Sequence, residues 1–279
     1  MAVDLFYFSG TGNSLYIARE LIKRLPDSRL IPMISHLGSE KLKTGSDKVG
    51  FVFPLYFMTI PAPVRTFIEK LDVCSAQYTF SIATRMGTLN VAHRSIERLL
   101  NAKGRRLNAV FSVTMANNSP TGLKPFKGDR NWMKKTGSEK IDSFEKKVQF
   151  QLALMEKIIL TRTEYPIRKV PNPFLGCIER LMNYLIRSNT TQIDFYADES
   201  CTGCGICRNV CLSGKVRMEN NHPQWDESVK CYYCYSCFNF CPAQSILVQN
   251  KYSRKDGRYH HPAVNAEDIA AQKKRTKRS

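Results

Sequence analysis

Eight of the ten cysteines lie in two runs, Cys201-Thr-Gly-Cys204-Gly-Ile-Cys207-Arg-Asn-Val-Cys211 and Cys231-Tyr-Tyr-Cys234-Tyr-Ser-Cys237-Phe-Asn-Phe-Cys241-Pro242. The spacing fits iron–sulfur ligation. C-x2-C-x2-C lets one tight loop wrap three corners of a [4Fe–4S] cube and leaves the fourth to a distant cysteine. Two runs imply two clusters. In the bacterial two-cluster pattern the fourth cysteine crosses over, so Cys201, Cys204, Cys207 and Cys241 hold one cube and Cys231, Cys234, Cys237 and Cys211 the other. Structural zinc fits less well, because paired C-x2-C knuckles would leave the third cysteine of each run without a role. Disulfides need an oxidising compartment, and Met1-Ala-Val-Asp4 lacks the basic start of a secretory signal. Pro242 follows Cys241 as the pattern expects, whereas Leu212 follows Cys211 where a second proline is usual; a looser turn is expected there.

The 279 residues suffice for about two domains, and 43% hydrophobic content is ordinary for a globular chain. No stretch approaches the ~18 consecutive apolar residues of a membrane span, so a soluble, cytoplasmic protein is expected. Lys+Arg 42 against Asp+Glu 24 gives a formal charge of +18. Thiolate-bound clusters carry negative charge and reduce this excess without cancelling it. A basic surface favours an acidic redox protein or oxidoreductase as partner, or peripheral contact with an anionic membrane. No helix-turn-helix or zinc-finger spacing supports nucleic acid. Arg208, Lys215 and Lys230 lie beside the cysteine runs, where a redox partner must approach.

At the other end of the chain, Val3 to Phe8 reads as a buried strand, followed by Ser9-Gly-Thr-Gly-Asn-Ser14 and a helical pattern from Leu15 to Leu25. Strand, Gly-rich polar loop and helix make a phosphate site: Gly10 and Gly12 let backbone N–H groups converge, and Ser9, Thr11, Asn13 and Ser14 add side-chain donors. The loop lacks the third glycine of a dinucleotide fingerprint and the Gly-Lys-Ser/Thr of a triphosphate loop, so a monophosphate fits better. Further strands are expected at 29–33, 48–53, 78–83 and 107–114, alternating with helices that include 64–71 and 91–103. Such alternation implies a doubly wound α/β domain with a five-stranded parallel sheet and ligands at the carboxyl ends of its strands. Ile141, Phe144, Val148, Leu152, Met155 and Ile159 form the stripe of a closing helix that ends before Pro166.

Phe8-Ser-Gly-Thr-Gly-Asn-Ser14, at this place after the first strand, resembles the FMN-phosphate loop of flavodoxins. The resemblance implies FMN lying between two further loops, Pro54-Leu55-Tyr56-Phe57 with its continuation to Pro61, and Thr84-Arg85-Met86-Gly87-Thr88. Tyr56 is the candidate for stacking on the ring. Flavodoxins are typically acidic around the flavin, and Arg85 departs from that.

Tyr165 to Pro173, with three prolines, reads as a semi-rigid linker. It is followed by an amphipathic segment with Phe174, Ile178, Leu181 and Leu185 on one stripe, expected to dock between domains or to lie on a membrane surface. Cys74 and Cys177 lie outside any C-x2-C spacing and read as buried thiols. A hairpin is expected across Val216 to Trp225, with Trp225 covering a cluster and His222 in a turn rather than on metal. Asn117 to Trp132 reads as a surface insertion near the flavin, and Gln272 to Arg278 as an unstructured cationic end.

Taken in order, the chain resembles flavodoxin-fused ferredoxins: a flavodoxin-like domain (1–164), a linker and amphipathic helix (165–191), a small α+β 2[4Fe–4S] ferredoxin domain (192–250) and a basic tail (251–279). The resemblance implies an electron-transfer protein or oxidoreductase with FMN and two [4Fe–4S] clusters and no catalytic nucleophile. Reduction of a small substrate at the flavin, a redox sensor, and a docking module without flavin are the other readings.

Overall fold

Val3–Tyr7, buried along its whole length, forms strand β1. The computed structural model describes residues 2–40, 42–86, 91–116, 118, 138–167, 177, 181, 184, 193–249 and 258–274; in the helix that starts at 138, side chains are described from 143 on. After β1 come α1 (Asn13–Ile22), β2 (Ser28–Pro32), β3 (Leu42–Lys43), β4 (Lys48–Pro54), α2 (Ala62–Lys70), β5 (Leu71–Asp72), β6 (Tyr78–Arg85), α3 (Ala92–Asn101), β7 (Ala109–Thr114) and α4 (Ser138–Leu160). Five of the strands form one parallel sheet in the order β2-β1-β4-β6-β7. This is the flavodoxin-like order, in which the chain reverses its direction of travel between β1 and β4. The loops after β1, β4 and β6 therefore meet at the carboxyl edge. β4 is buried at every position, as a sheet covered on both faces requires. Helices α1 and α4 pack together, as do α2 and α3. Phe51, Phe53, Phe67 and Phe80 are fully buried between these layers, each contributing about 1.5–3 kcal/mol relative to exposure. Gly50 makes room for one of them: a Cβ there would stand 2.3 Å from the Phe80 ring.

The cysteine-bearing part contains β8 (Phe195–Ala197), α5 (Ile206–Val210), β9 (Val216–Glu219), β10 (His222–Trp225), α6 (Ser236–Asn239) and β11 (Ile246–Val248). β8 pairs antiparallel with β11, and β9 with β10. The hairpin turn is Asn220–Asn221, both at positive φ (49° and 60°), the conformation a two-residue turn demands and asparagine tolerates. His222 accordingly sits in β10 opposite Glu219 rather than in the turn. Each cysteine run ends in a short helix, Cys207 in α5 and Cys237 in α6. Phe195, Val216, Phe238, Ile246 and Val248 form a core around Cys207, Cys211 and Cys237. Leu212, where the pattern expects proline, is buried in the N-terminal core together with Val210, Cys234 and Phe240. Its side chain joins the two parts of the chain.

Three expectations need correction. Cys74 and Cys177 are exposed, not buried; Cys74 follows Asp72, whose carboxylate caps its N–H at 2.9 Å in a surface turn. Tyr165 does not start a free linker. It extends the sheet, donating from its N–H to Asn108 and accepting from Val110 N–H, both at 2.9 Å. Most of the amphipathic segment and of the Asn117–Trp132 insertion lies outside the described residues; of the former, Leu181 and Tyr184 are exposed.

The third correction concerns the end of the chain. Residues 258–274 fold back across the N-terminal part, and Ala266–Ala271 forms helix α7. Asn265 and Asp268 make a reciprocal capping box at 2.8 and 3.0 Å. Ile269 and Gln272 are fully buried, and Asp268 pairs with Arg19 at 2.5 Å. Burial of Val264 and Ile269 in the N-terminal core gives this basic segment enough apolar contact to order it. The last five residues, 275–279, lie outside the described ones.

Candidate functional site

The loops after β1, β4 and β6 enclose a cavity of about 250 Å³ lined by Ser9, Gly10, Thr11, Asn13, Ser14, Pro54, Leu55, Tyr56, Phe57, Thr84, Arg85 and Met86, together with Met58, Ala116 and Asn118. Of the residues expected to bind a flavin, Gly12 does not line the cavity and packs against Val264 and His261, and Gly87 lies outside the described residues. The volume falls just below the range of about 300–1,000 Å³ usual for small-molecule sites. Gly12 precedes α1 with φ 99°, and a Cβ there would strike Val264 and His261 at 2.8 and 2.9 Å. Both its conformation and its crowding require glycine.

Most side-chain donors of this loop serve the protein's own framework. Ser9 Oγ accepts from Gly12 N–H at 3.2 Å, and Ser14 Oγ shares a hydrogen with Thr84 Oγ1 at 2.7 Å. Asn13 donates to the Ala116 carbonyl at 2.9 Å and accepts from Tyr259 O–H at 3.0 Å. Thr11 Oγ1 accepts from Asn118. The N–H groups at the start of α1 remain the place where an anion would be received, because a helix has no internal acceptors for its first turn.

Tyr56 and Thr59 exchange both main-chain hydrogen bonds, at 3.1 and 2.9 Å, across Phe57 and Met58, which take positive φ of 49° and 65°. Strain of this kind, of order 1–3 kcal/mol per residue, collects at binding sites. It aims Phe57 outward and turns Tyr56 inward. The Tyr56 ring meets Phe8 edge-on at 6.1 Å. Its hydroxyl is buried and has no hydrogen-bond partner among the described residues. Burial first, then the neighbouring Cys234 and Cys231, hold its pKa well above the usual 10.

Cys201, Cys204, Cys207 and Cys241 line one small cavity with Thr202, Ile206 and Pro223. Burial pushes the Cys207 thiol up to about 11, with Cys204, Cys241 and Cys201 acting in the same direction. Cys237 is raised further by burial, then by Cys234, Cys231 and Cys211. Burial likewise lifts Cys231 to about 12 and Cys234 to about 11. The thiols form two adjoining sets, Cys241 sharing the cavity of the first run and Cys211 lying by the thiols of the second, with Cys207 of the first set close enough to act on Cys237 as well. Buried thiolates need compensating positive charge, which bound iron supplies. No group of three or more His, Cys, Asp or Glu among the described residues is close enough to hold a single metal ion; a cube asks for less, since its four thiolates each take a different iron. The buried, partnerless donors Tyr56 O–H and Arg258 Nε both lie by the cysteines, where sulfur acceptors would satisfy them. The residues fit clusters.

The second set abuts the cavity loops. A Cβ on Gly10 would meet the Cys234 carbonyl at 2.5 Å, Tyr56 O–H at 2.6 Å and Cys234 Cβ at 2.8 Å. Ser236 Oγ donates to the Gly10 carbonyl at 2.8 Å and stands 3.1 Å from Cys234 Sγ. Tyr232 packs edge-on against Phe8 and Tyr233 against Phe57. The first set is nearer solvent, with Cys204 exposed. Trp225 is half-buried and stacks on Phe195 at 6.2 Å. His222 lies in a separate groove.

No family model matches the chain. Over 61 residues it is 34% identical to NADH-quinone oxidoreductase subunit I of Wolinella succinogenes, covering 22% of this chain and 25% of that protein. The chain thus spans about a quarter of the curated relative's length. Among solved structures it is similar to an azoreductase from Bacillus anthracis (14% identity, 56% of this chain and 100% of the other, TM-score 0.35) and to an NADH:FMN oxidoreductase (11% identity, 62% and 98%, TM-score 0.35). Scores this low carry no weight for the chemistry, which rests on the residues themselves. Among the described residues no helix is long and apolar enough to cross a membrane.

Several site residues escaped the sequence reading. Tyr259, His261 and Gln272 clamp the phosphate-type loop: His261 N–H donates to the Thr11 carbonyl at 2.8 Å, and its ring stacks on Tyr16 at 3.9 Å. The Asn265-x-x-Asp268 capping signature was the available signal. Lys215 is less free than expected, for its ammonium donates to the Asp226 and Val229 carbonyls at 2.7 and 3.0 Å; Arg208 and Lys230 are exposed.

Proposed function

We propose that the protein transfers electrons between two [4Fe–4S] clusters and an FMN held in the cavity between the loops after β1, β4 and β6. FMN takes up one or two electrons and each cluster one, so together they convert between single electrons and pairs. In this reading the loop from Gly10 to Ser14, at the start of α1, offers main-chain donors other than the Gly12 N–H to the phosphate, Tyr56 and Phe57 form one wall for the ring, and Arg85 and Met86 the other. Cys201, Cys204, Cys207 and Cys241 hold the outer cluster, and Cys231, Cys234, Cys237 and Cys211 the inner one.

The observation that carries the reading is the contact of Gly10 with Cys234 and Tyr56. A phosphate-type loop and a cluster ligand share one surface, with no space between them for another element. The outer set opens toward solvent, so the order outer cluster, inner cluster, flavin gives electrons a direct line from the surface to the cavity. Exposed Arg208 beside Cys207 and Lys230 beside Cys231 favour an acidic redox protein as the exchanging partner.

Anaerobic purification followed by iron and acid-labile sulfide assay, visible spectroscopy and acid release of flavin tests the assignment. Expected are two [4Fe–4S] equivalents and one FMN per chain, with FMN bleaching when a one-electron donor reduces the clusters. Zinc in place of iron, or FAD in place of FMN, overturns it. Iron without flavin after reconstitution with FMN would leave the N-terminal domain a docking module.

A further inference from the structure

Arg258 is the first described residue of the segment that folds back from the C-terminus, and it points into the cysteine-bearing part. Its guanidinium lies 3.3 Å above the centre of the fully buried Phe238 ring. One terminal nitrogen donates to the Phe238 carbonyl at 2.6 Å; the other donates to the Gln244 and Ile246 carbonyls, both at 2.8 Å. Phe238 follows Cys237 directly, and Gln244 and Ile246 belong to the stretch just after Cys241. The cation is therefore tied to the backbone beside one cysteine of each set. Its Nε–H, buried, has no acceptor among the described residues. Burial lowers the Arg258 pKa to about 10, and Cys241, Cys237 and Asp198 act to raise it; at neutral pH the group stays charged.

Resting on the two-cluster reading above, we propose that Arg258 is a positioning residue that raises the reduction potentials of both clusters. Each cluster accepts one electron from an external one-electron reductant and its net charge falls by one. A fixed cation nearby favours that more negative state, and a hydrogen bond from Nε–H toward cluster sulfur adds to the preference. Three carbonyl tethers and the Phe238 face prevent the guanidinium from swinging out to water. The same cation can serve both centres because it stands where the two loops come together.

Anaerobic redox titration followed by electron paramagnetic resonance, on wild type and on Arg258→Gln, Arg258→Met and Arg258→Lys, tests this, with iron content measured on each. Wild-type protein without iron refutes the cluster reading itself, whatever the variants do. With iron present, R258Q and R258M are expected to favour the oxidised form of both clusters at least tenfold, which for a one-electron couple is a fall of 59 mV. R258K keeps the charge and is expected to fall less than half as far. Full iron content with unmoved potentials in R258Q and R258M overturns the proposal. So does an equal shift in R258K, or a loss of iron common to all three variants, either of which would make Arg258 a packing residue rather than a source of charge.

Discussion

The Gln272 side-chain amide closes both main-chain hydrogen bonds of Ser9, accepting from its N–H at 3.0 Å and donating to its carbonyl at 2.8 Å. Both residues are buried, so Gln272→Ala strips two backbone groups of their partners, at about 1–3 kcal/mol each. Urea unfolding of Q272A is expected to report a loss of about 2 kcal/mol or more. FMN affinity is expected to fall while iron content holds; unchanged affinity would show that the clamp does not shape the loop.

A methyl group at Gly10 has nowhere to go, with backbone of Cys234 at 2.5 Å. Gly10→Ala is expected to pry the loop from the second cysteine run, destabilising the protein by about 1–3 kcal/mol and altering the paramagnetic signal of the inner cluster. Gly38, with nothing within 4 Å of its Cβ position, is the control. G38A should melt within a degree or two of wild type, and equal effects of the two changes would refute the contact.

Cys241→Ser removes a thiol from the cavity shared with Cys201, Cys204 and Cys207. The expected result is loss of the outer cluster and about half the iron, with the signal of the inner cluster, its neighbour in sequence, retained. Loss of the inner signal alone contradicts the crossed arrangement.

His93 and His261 are held down to about 4, in each case chiefly by burial. His93 shares hydrogens with Ser81 and Ser112 at 2.7 and 3.3 Å and has no carboxylate partner among the described residues; for His261, half-exposed Glu145 at 3.8 Å does not offset desolvation. An unfolded histidine titrates near ~6.5, so between pH 6.5 and 4 the unfolded chain binds more protons than the folded one. Stability is then lost as pH falls through that window, by about 3 kcal/mol per histidine once pH reaches 4. Urea midpoints at pH 7.5, 6 and 5 check it, and His93→Asn should flatten the slope. A midpoint indifferent to pH across the window excludes both histidines as its source.

Arg208 and Lys230 are exposed beside the cysteine runs. Stopped-flow transfer to an acidic ferredoxin should slow as salt rises and slow further in Arg208→Glu with Lys230→Glu, because steering decays with the Debye length. A rate insensitive to both salt and charge reversal removes the acidic partner.

The sheet was legible because most of its strands are compact apolar runs and β1, β4 and β6 are each followed by a loop and a helical stripe, a local pattern that periodicity detects. The loops around the cavity were legible for the same reason: the sheet order alone brings the carboxyl ends of β1, β4 and β6 together. The two cysteine runs are plain in the spacing, and the placing of Cys241 with the first run is what the two-cluster pattern leads one to expect. What the sequence hid is long-range. Nothing near Gln272 says that its amide will meet Ser9, and nothing near Leu212 distinguishes a loose turn from a side chain anchored in the other core. Arg258 reads as one more surface charge until its carbonyl partners, each presented by another loop, are in place. The sequence also did not reveal that the Tyr56 hydroxyl reaches the Cys234 side, where the turn at Phe57 and Met58 directs it.

Ser9 and Gln272 are 263 residues apart in the chain. During synthesis the sheet can collapse soon after its last strand emerges, since domains begin folding from the N-terminus. The loop at Ser9 must then wait, its N–H and carbonyl open to water, until the cysteine-bearing part has been made and the chain has returned. Assembly is therefore ordered: a nascent chain halted after α4 would have a complete sheet and an unfinished loop, and under the proposed function stable flavin capture would be a late event that reports arrival of the returning strap.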